Sequence, residues 1–324
     1  MKHYFIVNPE AGKGKYLPSL LTKIRFASEE LSIDYKIYNT TTTGDATDYV
    51  KSVCEKHPNE DLRFYACGGD GTLNEVASGA VGFPHAEIGV YPSGSGNDYV
   101  KYFGGADRFK NIRALMEAPG VDIDLMKIGG RYCVNVCNFG FDTTVAKTMI
   151  KVKRKKIIGG KRAYVTGVVT ALIKAMKNDC IVTVDGEQLN DKKILLCTIA
   201  NGNYVGGSFR CAPRSVNNDG LLEVCLINNI SRFRFVSLLG PYTAGEHLDD
   251  EKFKDCIVYR RGKHIHVTAP EGFSMSVDGE IVDGTDFDIE VMPSAIRFAL
   301  PPRSDADAAA NAAKDASAAF GAAR

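Results

Sequence analysis

Four apolar segments in the first hundred residues each run into a short polar turn and then into a helical pattern. Residues 4–7, 33–38, 62–66 and 86–91 have the length and the branched or aromatic composition of buried strands. Strands that alternate with helices are typical of a parallel sheet. This half of the chain is therefore predicted to be an α/β domain.

The most informative turn is C-G-G-D-G-T-L-N-E at residues 67–75. Three glycines, Gly68, Gly69 and Gly71, leave the backbone without Cβ atoms, so its N–H groups can approach a ligand closely. The helix that follows favours an anion at its N-terminus. Asp70 is badly placed for direct contact with phosphate. It is predicted either to act through magnesium or water, or to be an ordinary turn former.

The turns after the other three strands are also small and polar, at residues 8–15, 40–45 and 92–98. Ligands of parallel sheets bind outside the carboxyl ends of the strands, where these turns should converge. A phosphate-bearing ligand is the preferred interpretation. The first turn does not fit the P-loop pattern, because only Lys13 separates Gly12 from Gly14 and no Ser or Thr follows the lysines.

After about residue 122 the pattern changes to short strands with hairpin turns. We therefore predict an α/β nucleotide-binding domain at 1–121 and a mostly antiparallel β-rich domain at 122–302. The predicted strands of the second domain are 123–128, 131–138, 180–185, 193–200, 221–227, 263–268, 273–278 and 295–300. Helices are expected near 160–177 and 232–247, and the final strand is a candidate to return to the first domain. Residues 303–324 contain 11 alanines and are predicted to be a disordered tail.

The net charge of +1 does not exclude any class of binding partner. Locally, however, eight Lys and Arg residues lie between 147 and 162 without one acidic residue. This basic block is either a contact for anionic lipid or a solvated loop. It has no interleaved aromatic residues, so nucleic acid is not a predicted partner. The nine cysteines form no C-x-x-C pair, and no apolar run is long enough for a signal peptide or a membrane span. We expect a cytoplasmic protein that is either soluble or bound peripherally to membranes.

Several motifs together resemble the diacylglycerol kinase catalytic family, which includes bacterial lipid kinases and the sphingosine kinases. The matching motifs are N-P-E-A-G at 8–12, G-G-D-G-T-L-N-E-V at 68–76, P-S-G-S-G-N-D at 92–98, N-F-G-F-D at 138–142, N-D-G-L-L-E-V at 218–224 and V-D-G-E at 277–280. The resemblance covers about residues 1–300. It implies that ATP binds between an α/β domain and a β-rich domain, and that a lipid hydroxyl receives the γ-phosphoryl group.

The resemblance also implies roles for individual residues. The implied nucleotide contacts are Asn8, Pro9, Glu10, Ala11, Gly12, Thr41, Gly69, Asp70, Gly71, Thr72, Leu73, Asn74, Glu75 and Ser95. Many relatives have Thr at the position of Ser95, so a hydroxyl is retained. Which of the four residues at 40–43 makes the contact stays open. Asp70 and Asp98 are implied to hold magnesium and water around the phosphates.

Glu280 resembles the catalytic base of the family, since a carboxylate can accept the proton of the attacking hydroxyl. The same V-D-G-E sequence also occurs at 184–187, where Asp185-Gly186 is a favoured hairpin turn. Glu280 can also be interpreted as part of an ordinary hairpin turn. The order of motifs along the chain favours Glu280 over Glu187 as the base.

Asp219 resembles the side-chain ligand of a structural magnesium site, with the backbone carbonyls of Val216 and Leu221 as the other protein ligands. Oxygen ligands suit this cation. An ordinary N-D-G turn explains the same residues equally well.

Other functions share part of this pattern. The G-G-D-G motif also resembles that of NAD kinases and phosphofructokinases, but the motifs at 8–12 and 92–98 argue against a soluble substrate. A non-catalytic nucleotide sensor is disfavoured because Asp70, Asp98 and Glu280 are all present. Within the family that the motifs resemble, diacylglycerol-type members have Asp at the position of Asp98 and sphingosine kinases typically have a small apolar residue. The resemblance therefore favours diacylglycerol over a sphingoid base, and phosphatidylglycerol is a further candidate acceptor. A homodimer is suggested by analogy alone.

Overall fold

The computed structural model describes residues 1–141, 143–145, 147–148, 176–191 and 193–303. Two compact units are present, one formed by Met1–Asp122 with the chain from Ile296 onward and the other by Ile123–Ala295. The basic block, the helix predicted near 160–177 and the alanine-rich tail lie wholly or mostly outside the described residues. Within the described ranges, no helix has the length and apolar character needed to cross a bilayer.

A parallel sheet forms the centre of the first unit. Its strands are β1 (Lys2–Val7), β2 (Tyr35–Asn39), β3 (Leu62–Gly68) and β4 (Ala86–Pro92), in the order β2–β1–β3–β4. The helices are α1 (Leu17–Leu31), α2 (Asp45–Lys56), α3 (Asp70–Ala80), α4 (Tyr99–Tyr102) and α5 (Ile112–Met116). All residues of β3 and β4 are buried, as expected for strands covered on both faces. Near the end of the chain, Arg297 and Phe298 pair in parallel with β4.

One buried ion pair joins the neighbouring strands β3 and β4. Arg63 of β3 and Glu87 of β4 are opposite each other in register, and their side chains are 5% and 9% exposed. Arg63 Nη2 lies 2.5 Å from Glu87 Oε2, and Nη1 donates to the carbonyl of Met116 at 2.8 Å. A buried carboxylate and a buried guanidinium are tolerated because each neutralises the other.

The second unit is mostly antiparallel. Its strands are β5 (Gly120–Ile128), β6 (Arg131–Cys133), β7 (Val136–Gly140), β8 (Ile181–Val184), β9 (Glu187–Gln188), β10 (Ile194–Ala200), β11 (Leu222–Asn228), β12 (Ile257–Gly262), β13 (His264–Thr268), β14 (Ser274–Val277), β15 (Glu280–Asp283) and β16 (Asp286–Ala299). Six of them form a sheet in the order β12–β11–β10–β7–β14–β15. Strands β16, β13, β8 and β9 pair antiparallel in that order.

Apolar side chains from both sets of strands share one core. Phe139 and Ile199 of the six-stranded sheet belong to the same buried cluster as Val182 and Ile265. The arrangement is therefore a β-sandwich. A second cluster lies under helix α6 (Arg232–Ala244), which contributes Phe235 and other apolar residues. All nine cysteines are buried and free. The predicted fold class, an α/β half followed by a mostly antiparallel β-rich half, is confirmed.

Several strand boundaries differ from the sequence prediction. The run predicted as one strand at 131–138 is two strands, β6 and β7, because the backbone turns between them. The carboxylate of Asp278 accepts hydrogen bonds from the amides of Val134, Asn135 and Val136 at 2.7 to 3.0 Å, which removes these groups from a straight ladder. Strands β9, β12 and β15 were not predicted, and the last strand spans 14 residues instead of six.

Removing the carboxylate of Glu87 should destabilise the protein strongly. Glu87→Ala leaves Arg63 buried without its anionic partner, and we expect a loss of about 3–5 kcal/mol in the free energy of unfolding, measured with urea. Glu117→Ala is the matched control, because Glu117 pairs with Arg113 at the surface. It should cost less than about 1 kcal/mol. Equal small losses in both variants would contradict a structural role for the buried pair.

Candidate active site

The three glycine turns of the first unit touch each other through their backbones. A Cβ atom added to Gly94 would lie 2.5 Å from the Cα of Gly69, and one added to Gly12 would lie 2.7 Å from the carbonyl oxygen of Ser93. Such distances are too short for real side chains. The turns after β1, β3 and β4 therefore form one continuous surface at the carboxyl ends of parallel strands, where ligands of such sheets bind.

Hydrogen bonds fix the turns in this arrangement. The amides of Ser93 and Gly94 donate to the carbonyl of Gly68 at 2.8 and 3.2 Å. Asn8 Nδ2 donates to Thr72 Oγ1 at 3.3 Å, which ties the first turn to the start of α3. The hydroxyl of Tyr16 lies 2.7 and 2.9 Å from the carbonyls of Asn8 and Cys67.

Tyr16 was not identified from the sequence, where nothing distinguishes it from other residues at the start of a helix. Burial raises the pKa of Tyr16 to about 12, so the phenol keeps its proton and remains a donor to these carbonyls at neutral pH. It is a residue that holds the turns in place.

Asp70 and Asp98 lie close together. Asp70 Oδ1 accepts hydrogen bonds from the amides of Asp98 and Tyr99 at 2.7 and 3.4 Å, so this carboxylate caps the start of α4. A Cβ on Gly96 would lie 2.8 Å from Asp70 Oδ2. Asp98 Oδ1 lies 2.5 Å from Lys101 Nζ, three residues later. This spacing in a helical turn is a signal from which Lys101 could have been predicted.

The threonine turn after β2 is organised by Asp45. The amide and the hydroxyl of Thr41 donate to Asp45 Oδ2 at 2.7 and 3.0 Å. Tyr38 donates to Oδ1 at 2.5 Å, and this hydrogen bond is the main reason why the pKa of Asp45 is lowered. Gly44, at φ 88°, occupies the N-cap of α2. Asp45 is the first residue of α2, and its carboxylate reaches back to Thr41.

The remaining candidate residues of α3 differ in what their side chains can reach. Leu73 is 2% exposed and points into the core, so only its backbone is available to a ligand. Glu75 Oε2 accepts from the amide of Ala46 at 3.2 Å and thereby holds the start of α2. The hydroxyl of Ser78 donates to Asn74 Oδ1 at 3.5 Å. Gly69 occupies the N-cap of α3 and provides no capping side chain.

In the first and third turns, several candidate residues are accessible. Glu10, Gly12 and Ser95 are exposed, and Pro9 and Ala11 are partly buried. The amide of Glu10 donates to Asn8 Oδ1 at 3.0 Å, which closes a local turn. These turns therefore present backbone groups and small side chains, as phosphate cradles do.

Glu280 lies in the second unit, at the start of β15. The two residues before it, Asp278 and Gly279, have positive φ of 46° and 90° and form the tight turn between β14 and β15. The carboxylate of Glu280 is 51% exposed, and its Oε2 lies 3.4 Å from Arg131 Nη1. An accessible carboxylate of this kind can accept a proton.

The other V-D-G-E sequence has the same local structure. Asp185 and Gly186 have φ of 47° and 86° and join β8 to β9. The carboxylate of Glu187 is 63% exposed and pairs with Arg260 at 3.2 Å. Asp185 also accepts from backbone amides, those of Lys263 and His264. The hairpin by itself therefore does not distinguish Glu280 from Glu187.

The structure places a positive side chain at the predicted metal ligand Asp219. Asp219 Oδ2 accepts a hydrogen bond from Arg261 Nη2, and Oδ1 accepts from the amide of Leu221 at 3.1 Å. Arg261 Nε donates to Glu223 Oε1 at 2.9 Å. Burial raises the pKa of Glu223 to about 7, against the opposing effect of Arg261. Val216 is exposed. Asp219 is thus paired with a guanidinium, whose positive charge opposes a magnesium ion at the same carboxylate, so these residues do not fit a magnesium ion as they stand.

Comparison with known proteins gives two family matches that together span most of the chain. The profile of the diacylglycerol kinase catalytic domain matches residues 2–128. The profile of the YegS C-terminal NAD kinase beta sandwich-like domain matches residues 135–300.

Individual relatives are similar over most of their length. The diacylglycerol kinase of Bacillus subtilis (strain 168) is 28% identical over 281 residues, which cover 85% of this chain and 88% of that protein. A Yersinia enterocolitica protein named "Probable lipid kinase YegS-like" is 29% identical, with coverage of 82% and 87%. The crystal structure of a diacylglycerol kinase from Bacillus anthracis str. Sterne superposes with a TM-score of 0.66 at 21% identity, covering 93% and 97% of the two chains.

Because Gly94 contacts Gly69, we expect an alanine substitution at Gly94 to destabilise the protein more than one at Gly71. Gly94→Ala should reduce the free energy of unfolding by about 1–3 kcal/mol in urea, because its methyl group would displace the backbone of the neighbouring turn. In Gly71→Ala, the matched control, a Cβ would meet no described atom within 4 Å. Because Gly71 lies in α3, this variant should be unchanged or about 0.5–1 kcal/mol more stable. Similar losses in both variants would refute the importance of the contact.

Proposed function

Because this chain belongs to the diacylglycerol kinase catalytic family and is a lipid kinase, we propose that it transfers the γ-phosphoryl group of ATP to the hydroxyl of diacylglycerol. The observation that supports this most is the continuous surface formed by three glycine turns around Asp70. Exposed backbone amides at a helix start are suited to bind a triphosphate. The product of the reaction is phosphatidic acid.

ATP is assigned to the turns that carry Asn8 to Gly12, Gly69 to Glu75 and Ser95, with a hydroxyl from Thr41 or one of its neighbours. Leu73 and the glycines contribute backbone groups, whereas Ser95 offers an exposed hydroxyl. The carboxylate of Glu75 supports the site indirectly, because it positions the start of α2. Tyr16 keeps the first and second turns together.

Asp70 and Asp98 are assigned to the magnesium that accompanies ATP. Their carboxylate oxygens are the ligand type that Mg²⁺ prefers, and the two residues lie in adjoining turns. When bound, Mg²⁺ neutralises the negative charge of the phosphates. Asp70 has a second task that needs no metal, since it also caps α4.

Glu280 is assigned as the base. As the lipid hydroxyl oxygen attacks, a bond forms between this oxygen and the γ-phosphorus, and the bond from that phosphorus to the bridging oxygen of ADP breaks. The proton of the hydroxyl passes to the carboxylate of Glu280. Positioning supplies most of the rate enhancement in such transfers, so the base needs only moderate strength.

Diacylglycerol is preferred as the acceptor because Asp98 occupies a position where the sphingosine kinases that the motifs resemble have a small apolar residue. Since this substrate resides in a bilayer, we propose that the protein works at the cytoplasmic face of the membrane, bound peripherally. The basic block at 147–162 is the proposed contact for anionic lipid.

The two V-D-G-E hairpins provide a controlled test of the base. Glu280→Gln should lower kcat by at least about 100-fold, because the amide cannot accept the proton. Glu187→Gln makes the same change in a hairpin of the same turn type and similar exposure and should retain full activity. Both variants should unfold at the wild-type temperature. Retained activity in Glu280→Gln would refute the assignment.

The acceptor is tested by transfer from γ-labelled ATP to mixed vesicles that contain diacylglycerol, sphingosine and phosphatidylglycerol, with NAD in solution. We expect label in phosphatidic acid, because the family and Asp98 both favour diacylglycerol. Label in another lipid would support the assignment as a lipid kinase but identify a different acceptor. Label in NAD would overturn the lipid assignment, and ATP binding without any labelled product would favour a nucleotide sensor.

A further inference from the structure

A single guanidinium lies where the N-D-G-L-L-E-V motif predicts a metal ion. We propose that Arg261 is the resident cation of this site and that it takes the place of magnesium between Asp219 and Glu223. The proposal concerns the second unit alone, and it does not depend on the phosphoryl transfer proposed above.

The register of the sheet directs Arg261 to these acids. Glu223 of β11 and Arg261 of β12 are opposite each other in the antiparallel ladder. Arg261 Nε donates to Glu223 Oε1 at 2.9 Å, while Nη2 donates to Asp219 Oδ2. The planar guanidinium thus bridges two carboxylates through different nitrogens, an arrangement that a compact ammonium cannot reproduce.

Burial explains why a cation is required here. Glu223 is 1% exposed, and its Oε2 has no hydrogen-bond partner among the described residues. A buried carboxylate without a positive partner is strongly unfavourable. The ladder fixes the backbone of Glu223 opposite Arg261. Arg261 is the positive group in direct contact with it.

The same contacts leave poor conditions for a divalent ion at Asp219. One oxygen of this carboxylate receives the amide of Leu221 and the other receives Arg261. The nearby carboxylate of Asp124 accepts the amides of Gly220 and Ser294 at 2.7 and 2.8 Å. A magnesium ion bound to Asp219 would compete with Arg261 for the same carboxylate, and its charge would repel the guanidinium.

This proposal is tested by measuring the thermal unfolding of the nucleotide-free, full-length protein in two buffers, one with EDTA and one with 10 mM MgCl₂. The wild type should have the same melting temperature in both buffers. Arg261→Gln should melt lower in EDTA and gain about 3 °C or more with magnesium, because the vacated acids then bind the ion. Arg260→Gln, on the same strand, removes an exposed guanidinium that pairs with Glu187 and should resemble the wild type.

A second variant keeps the test decisive if Arg261→Gln does not fold. Asp219→Asn removes the predicted ligand and should lower the melting temperature equally with and without magnesium. The proposal is overturned if magnesium raises the melting temperature of the wild type and Asp219→Asn abolishes that rise. Because nucleotide is absent, neither result depends on kinase activity, and loss of the proposed transfer reaction would leave this comparison unaffected.

Discussion

Backbone contact between neighbouring turns is the constraint on which the candidate active site depends. Gly69 and Gly94 approach so closely that a methyl group on Gly94 would overlap the backbone of Gly69. This approach allows the amides of Ser93 and Gly94 to reach the carbonyl of Gly68, and it brings Asp70 to the start of α4. The glycines therefore allow the turns to pack against each other, and this packing leaves a backbone surface that is suited to bind phosphate.

Buried charge is handled in the same way in both units. In the first unit, Arg63 and Glu87 face each other across parallel strands, and in the second, Arg261 and Glu223 face each other across antiparallel strands. In each case the register places the guanidinium against the carboxylate. A further N–H group of each arginine donates to a second acceptor, the carbonyl of Met116 in the first unit and the carboxylate of Asp219 in the second. Arginine suits this task because its fork of donors can serve two acceptors at once.

The two V-D-G-E segments show which structural features the local sequence determines. Asp and Gly accept positive φ, so both segments form the same two-residue hairpin, and both aspartates accept hydrogen bonds from backbone amides. Even the glutamates are similar, since each lies at the surface beside an arginine. A difference in function between them must therefore come from their surroundings, and the order of motifs along the chain was the only sequence signal for it.

The alternation of strands and helices and the change to a β-rich second half could be read from the amino-acid sequence, because hydrophobic periodicity and glycine turns are local. The family could be read from it as well, through the resemblance of several short motifs. Tertiary structure alone decided that Asp278 divides one predicted strand into β6 and β7, from more than 140 residues away. It also placed Arg261, 38 residues from Glu223, at the predicted metal ligand. Partners so distant in sequence are set by strand register, which no local pattern encodes.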